Sequence, residues 1–221
     1  MRPWSQIRKK ELNYINHVRK KTNVLRARIY GFLAGDGNIQ IGNMTTNFHH
    51  MVRFFPDHNS LIKPYVKAFR KVFGKNPKII KEQKHFCLLV DSKTVVLDII
   101  KTGKFGLYKW RVPFSLLKDR TSKIEWLRAF FDSEAYVHKK YLRIQSVNKQ
   151  GILDVKKLLK GFDINTSFYT YKPKNRRWNR NYILCIIKKN EITKYAKLIS
   201  FNHTAKFKKL NKQISRYATI A

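Results

Sequence analysis

The sequence predicts an α/β chain, α+β in detail, built as two pseudo-symmetric αββαββα halves. Three observations carry that reading. The chain repeats weakly at a separation of about one hundred residues. The same order of apolar periodicities follows each copy. With 43% hydrophobic and 14% aromatic residues among 221, there is enough apolar side chain to fill the cores of both halves.

The first copy is "YGFLAGDGNI" and the second "LRAFFDSEAYV". Aligning Gly31 through Gly37 with Ala129 through Ala135 matches a small residue, an apolar pair, a second small residue and an acid, so that Asp36 pairs with Glu134. These copies predict helices at about 24–36 and 122–134. In the first half, alternation predicts a hairpin over 37–56, a helix over "NSLIKPYVKAFRKVFG", a second hairpin over 77–91 and a helix over "KTVVLDIIK". In the second half the corresponding stretches are 135–147, "KQGILDVKKLLKGF", 165–187 and "KNEITKYAKLI". The halves are placed at 1–110 and 121–221, joined by a linker at 111–120. The terminal "AKFKKLNKQISRY" reads as an amphipathic, core-covering helix with its lysines outward.

Charge bounds the partner. Lys and Arg number 48 against 13 Asp and Glu, a net charge of +35 spread over both halves. A polyanion is expected, and nucleic acid is favoured over a membrane surface because the basic residues alternate with Tyr, Asn and Gln in strand-like stretches. No apolar run reaches membrane-spanning length, and "MRPWSQIRKKELNYINHVRKK" lacks the apolar core of a secretion signal, so an intracellular protein is expected. Cys87 and Cys185 are too few for a cysteine zinc site and read as buried, reduced thiols.

Gly31 and Gly35, like Ala129 and Ser133, lie four apart on one helical face, where small side chains let two backbones approach. Pairing about a pseudo-twofold axis would bring Asp36 and Glu134 together at the negative ends of two helices. A divalent cation would relieve both the repulsion between the acids and their conflict with the helix ends. A hard ion such as Mg²⁺ takes a few carboxylate and carbonyl oxygens and leaves positions for phosphate and water. Asp36-Gly37 alone would also serve as a plain turn, but the second copy keeps an acid without a following glycine. Asp132 reads as a partly solvated or capping acid. His49 and His50 have no partner at metal-ligand spacing.

Those two stretches resemble the signature helices of the LAGLIDADG homing endonucleases in their single-chain, two-motif form, and the resemblance runs over about residues 24 to 210. It implies two antiparallel sheets forming a DNA-binding saddle, with the motif helices at the interface. It further implies Mg²⁺-dependent hydrolysis of one phosphodiester per strand across the minor groove, leaving 3′ overhangs, with Mn²⁺ or Ca²⁺ able to stand in the same site. Asp36 and Glu134 are then the metal ligands, flanked by Gly35 and Ser133. "KWRVP" is similar to the Lys-x-x-Ile/Val-Pro motif of many two-motif members, which makes Lys109 a third catalytic candidate beside its reading as a solvated linker lysine. Lys206 is its candidate counterpart in the second half. The second motif departs from the family pattern at Phe131, Ser133 and Ala135.

Period-two alternation sends Arg143 and Gln145 to one face of "LRIQSV" and Leu142 and Ile144 to the other. Arg suits guanine and Gln suits adenine at major-groove edges. Asn38, Gln40 and Arg53 offer the same chemistry in the first half; Ser167, Tyr169 and Tyr171 share a face in the second. His138 and Lys140 in the 135–147 hairpin, and Lys172, Lys174, Arg176, Arg177 and Arg180 near the tip "KPKNRRWNRN", are placed against DNA. A solvated polar face of a half-buried sheet is the plain alternative for all of them. The expected protein is a monomeric, intron-encoded or free-standing enzyme acting on a long, pseudo-palindromic or asymmetric duplex site. The rival on the same fold is a maturase, an RNA-binding splicing cofactor. Self-splicing is not expected, because residue 1 is not a nucleophile and the chain does not end on His-Asn.

Overall fold

Short alternating runs make the strands, and stripes at helical spacing make the helices that cover them. The computed structural model describes residues 4–43, 49–82, 85–175 and 177–218. The first half is α2 (Asn23–Asp36), β1 (Gly37–Gln40), β2 (Met51–Phe54), α3 (Ile62–Phe73), β3 (Lys78–Glu82), β4 (His85–Asp91) and α4 (Lys93–Thr102). The second repeats that order as α5 (Arg120–Glu134), β5 (Tyr136–Val137), β6 (Leu142–Ser146), α6 (Lys149–Lys160), β7 (Ser167–Tyr171), β8 (Asn181–Ile186) and α7 (Lys189–Leu198). Flanking them are α1 (Trp4–Val18), which the sequence reading leaves unassigned, and α8 (Thr204–Ala218).

Each half forms an antiparallel four-stranded sheet, ordered β1-β2-β4-β3 and β5-β6-β8-β7. The register fixes which side chains share a face, since directly opposed residues point the same way. Val52 and Val90 pair inward, while Asn38, Arg53 and Leu89 fall in one row on the other face. In the second sheet Leu142 opposes Ile186 on the inner face, and Arg143, Cys185 and Ser167 line up on the outer one.

Helix ends follow local chemistry. Ser92, Asp119 and Asn148 each accept a backbone N–H at the start of α4, α5 and α6. Gly74, left-handed at φ 67°, closes α3 with its N–H on the Arg70 carbonyl. Buried Tyr65, Ala68, Phe69, Val72 and Phe73 form the stripe that seats α3 under the first sheet, beside Phe32 and Phe54. Phe130, Phe131, Tyr195 and Phe201 do the same work in the second half. Burying each such ring contributes roughly 1.5–3 kcal/mol.

The halves join through α2 and α5. A Cβ at Gly31 would lie 2.4 Å from the Trp126 carbonyl oxygen and 2.9 Å from Ala129 Cβ, and one at Gly35 would lie 2.5 Å from Ser133 Cβ. The small residues are therefore what lets these backbones touch. α1 packs on α3 and α4: its Glu11 pairs with Lys75 at 2.6 Å and accepts a hydrogen bond from Ser92 Oγ at 2.7 Å. Beneath it a buried ion pair ties α2 to α4, with Arg26 Nη1 2.6 Å from Asp98 Oδ2 and Arg19 on the other carboxylate oxygen. Cys87 and Cys185 are buried thiols. No described helix is long and apolar enough to cross a membrane.

Candidate active site and nucleic-acid interface

Both motif helices end on an acid and pass directly into a strand. Gly37 (φ −100°, ψ 153°) and Ala135 (φ −78°, ψ 135°) are both extended, so Gly37 is not a left-handed turn residue and the two junctions share one geometry. A Cβ on Gly35 would sit 3.3 Å from Glu134 Cγ, which places the two acidic ends side by side.

Neither Asp36 nor Glu134 has an ion-pair partner among the described residues. Burial pushes Asp36 up to about 6, with the charge of Asp57 adding to the effect and Lys206 opposing it. Burial pushes Glu134 up to about 7, and the negative charge of Asp36 adds to it. Ser133 Oγ is near enough to Asp36 to lower its pKa, yet it is buried and makes no hydrogen bond of good geometry. Two carboxylates short of positive charge and an unsatisfied hydroxyl beside them fit a hard divalent cation, which takes oxygen donors and brings its own waters. Among the described residues no three His, Cys, Asp or Glu side chains converge as a metal cluster, so the candidate ligands are the two carboxylates with nearby backbone carbonyls.

The second half supplies the cation. Lys206, 13% exposed at its side chain, donates from Nζ to the carbonyl oxygens of Ser133 (2.8 Å) and Asp132, closing the C-terminus of α5. Lys206 thus departs from the expected outward set on the terminal helix. Asp132 is fully buried and not partly solvated: its Oδ1 accepts the N–H groups of Asn202 and His203 at 2.9 Å, which caps the approach to α8. Its capping role stands and its solvation does not, because α8 folds over it. Lys109, by contrast, lies exposed on the linker, its backbone N–H bonded to the Gly106 carbonyl.

Asp57 and His203 belong to this site and carry no signal in the repeat. Asp57 Oδ1 is 3.5 Å from His203 Nε2, and its Oδ2 is 3.7 Å from Lys206 Nζ. Burial would raise the Asp57 pKa, but His203 and Lys206 hold it below the ordinary value. His203 Nδ1 accepts the Lys206 backbone N–H, so in the neutral ring the proton sits on Nε2, facing Asp57. Asp57 follows β2 in a Phe-Pro-Asp-His run that reads as a turn, and its partners arrive from the far end of the chain.

The outer faces of the sheets gather most of the predicted DNA contacts. Arg53 Nη1 donates to Asn38 Oδ1 at 3.2 Å, with Gln40 one pair along the same face. In the second sheet Tyr136, Arg143, Gln145, Ser167, Tyr169 and Tyr171 share the outer face, with Arg143 5.3 Å over the Tyr136 ring. Asn181, unpredicted, joins them by accepting from Gln145 Nε2 at 3.2 Å. His138 stacks on Tyr141 at 4.4 Å, and Lys140 is exposed beside it. Lys172, Lys174, Arg177 and Arg180 are exposed near the β7–β8 tip; Arg176 lies outside the described residues. Lys139, Lys209, Lys212 and Arg216, also unpredicted, line a groove between β5 and α8.

The pairing of two helices between two antiparallel sheets, with an acid ending each helix, is a fold that this chain shares with solved LAGLIDADG proteins. Residues 121–200 match the LAGLIDADG-like domain model. Among solved structures, the chain is similar to mesophilic variants of the homing endonuclease I-DmoI, at 18% identity and TM-score 0.65 over 81% of this chain and 97% of that one. It is equally similar to I-DmoI in complex with DNA and Mn, at 17% identity and TM-score 0.65 over 80% and 97% of the two chains. Full-length DUF199/WhiA from Thermatoga maritima matches at 13% identity and TM-score 0.57, covering 98% of this chain and 67% of that one. No curated protein matches the chain in sequence.

Proposed function

We propose that the protein is a sequence-specific, divalent-cation-dependent DNA endonuclease that cuts both strands of a duplex, working as a monomer because one chain supplies both halves. The observation that carries this reading is the pair of half-buried carboxylates, Asp36 and Glu134, left without ion-pair partners among the described residues at adjoining helix ends between two polar sheet faces. A net charge of +35 supports the polyanionic partner, and the solved I-DmoI complexes with DNA and Mn or Ca support the class of substrate and ion.

In this reading Asp36 and Glu134 hold the cation, with backbone carbonyls beside them. A divalent ion held there, Mg²⁺ or a substitute, would supply positive charge for phosphodiester hydrolysis. Lys206, fixed by two carbonyls, sets a second positive charge close to both acids. Arg143, Gln145, Asn38, Gln40 and Arg53 read base edges, while the lysines and arginines near the β7–β8 tip hold phosphates. Lys109, on the exposed linker, meets the backbone of the duplex. The protein works inside the cell, where such DNA is found.

The test is cleavage of a randomised plasmid library with Mg²⁺, comparing wild type with Asp36→Asn and Glu134→Gln. The expected result is breaks at one sequence with short 3′ overhangs, absent in both variants although DNA binding survives. Tight binding to structured RNA in preference to duplex DNA, without any cut, would overturn the endonuclease and favour a splicing cofactor.

A further inference from the structure

Helix α1 stands outside the repeat. Each half is complete as αββαββα without it, yet its 15 residues pack on α3 and α4 of the first half. One side of α1 is used in that packing, through buried Ile15 and through Glu11 on Lys75 and Ser92. On another side Trp4, Arg8 and Leu12 follow four apart, the spacing that stacks residues along one helix face, and all three are exposed. Because α3 and α4 cover the inner side of the first sheet, α1 lies away from the outer face that carries Asn38 and Arg53.

Between α1 and α4 runs a groove of about 590 Å³. Leu12 and Leu97 line it, 46% and 45% exposed. Arg8 and Lys9 bring positive charge to it from α1, and Lys93 and Lys101 from α4; all four are exposed and belong to no ion pair among the described residues. Asp98 is the only acid among the described residues that line it, and its carboxylate is already taken up by Arg19 and the buried Arg26. The groove thus joins apolar side chains to unneutralised positive charge on both of its helices.

We infer that this groove is the docking site for an acidic, amphipathic helix of a partner protein. The apolar stripe of that helix covers Leu12 and Leu97, and its carboxylates face Arg8, Lys9, Lys93 and Lys101. A groove between two helices takes a third by ridges-into-grooves packing, and charge complementarity selects an acidic one. A second copy of this chain does not fit, because 48 Lys and Arg against 13 Asp and Glu repel their like. A nucleic-acid strand fits poorly: among the described residues no aromatic side chain lines the groove to stack on a base, and two leucines offer a phosphate backbone nothing. The inference is independent of whether the protein cuts DNA.

The test is fluorescence anisotropy of a labelled peptide titrated with the full chain at about 0.15 M salt. The probe is a helical peptide of about 15 residues, the length of α1, with leucines three and four apart on one face and glutamates beside them. The control peptide has the same composition in scrambled order. Wild type is expected to bind the striped peptide about tenfold more tightly than the scrambled one. Leu12→Gln with Leu97→Gln should abolish that preference, and Lys93→Glu with Lys101→Glu should weaken the striped peptide by roughly tenfold. Both double variants should melt within about 3 °C of wild type, since all four side chains are exposed. Equal affinity for the two peptides overturns the inference, because net charge alone then explains binding. Striped-peptide binding that either double variant leaves unchanged overturns it too. Displacement of the striped peptide by an equimolar single-stranded RNA of the same charge assigns the groove to nucleic acid and overturns it as well.

Discussion

Glu134 is a carboxylate that folding pushes toward neutrality, and this gives the molecule a pH signature. Its pKa stands near 7 and that of Asp36 near 6 in the folded chain, above their ordinary values. Asp132 is raised to about 6 as well, chiefly by burial. The folded state therefore holds protons that the unfolded state has released, and stability falls as pH rises from about 4 to about 7. At about 1.4 kcal/mol per pKa unit, each group withdraws on the order of 3 kcal/mol by pH 8. Melting in EDTA should show this decline, and Asp36→Asn with Glu134→Gln should flatten most of it, raising Tm at pH 8 by roughly 10–20 °C. Mg²⁺ should raise Tm at pH 8 in wild type and not in that double variant. On the sheets, Gln145→Ala should relax preference at one base pair of the target by about 1–3 kcal/mol, read as the affinity ratio between matched and mismatched duplexes. The acids were legible in the sequence because the repeat printed them twice. Asp57 and His203 were not, because each acts through a contact between distant parts of the chain and has no echo in the other half.

At the scale of elements, the helix pair is the tightest joint. Gly35→Ala drives a methyl group into Ser133 Cβ, and the expected cost is about 1–3 kcal/mol, measurable by urea unfolding. Asp98→Asn leaves the Arg26 guanidinium buried without its counter-charge, for an expected loss of about 3–5 kcal/mol. The repeated αββαββα order could be read from alternation and helical stripes, and the motif helices fall within two residues of their expected limits. α1 escaped because its inward side holds Ile7, Glu11, Ile15 and Val18, in which the acid interrupts the apolar stripe. Only the fold shows Lys75 and Ser92 waiting to receive that acid. β5, two residues long, pairs with β6 inside the hairpin expected over 135–147.

For the whole molecule, the charge of +35 sets how DNA binding responds to salt. The logarithm of affinity should fall linearly with the logarithm of salt concentration. Replacing Lys172, Lys174, Arg177 and Arg180 with Gln should make that slope shallower by up to about 0.9 for every phosphate these side chains neutralise, leaving the preferred sequence unchanged. Composition suggested a polyanionic partner and alternation the polar strand faces; the registers add which of those side chains stand in one row.

The seating of the β2–α3 loop on α8 limits how such a chain can be recombined. Exchange of halves between related genes at the linker would keep the motif-helix seam wherever small residues meet small residues. It would separate Asp57, His58 and Ser60 from His203, Lys206 and Thr204, which face one another across the halves. A shuffled descendant would inherit a sound scaffold and a mismatched lock on one flank, so these residues should travel through a lineage together.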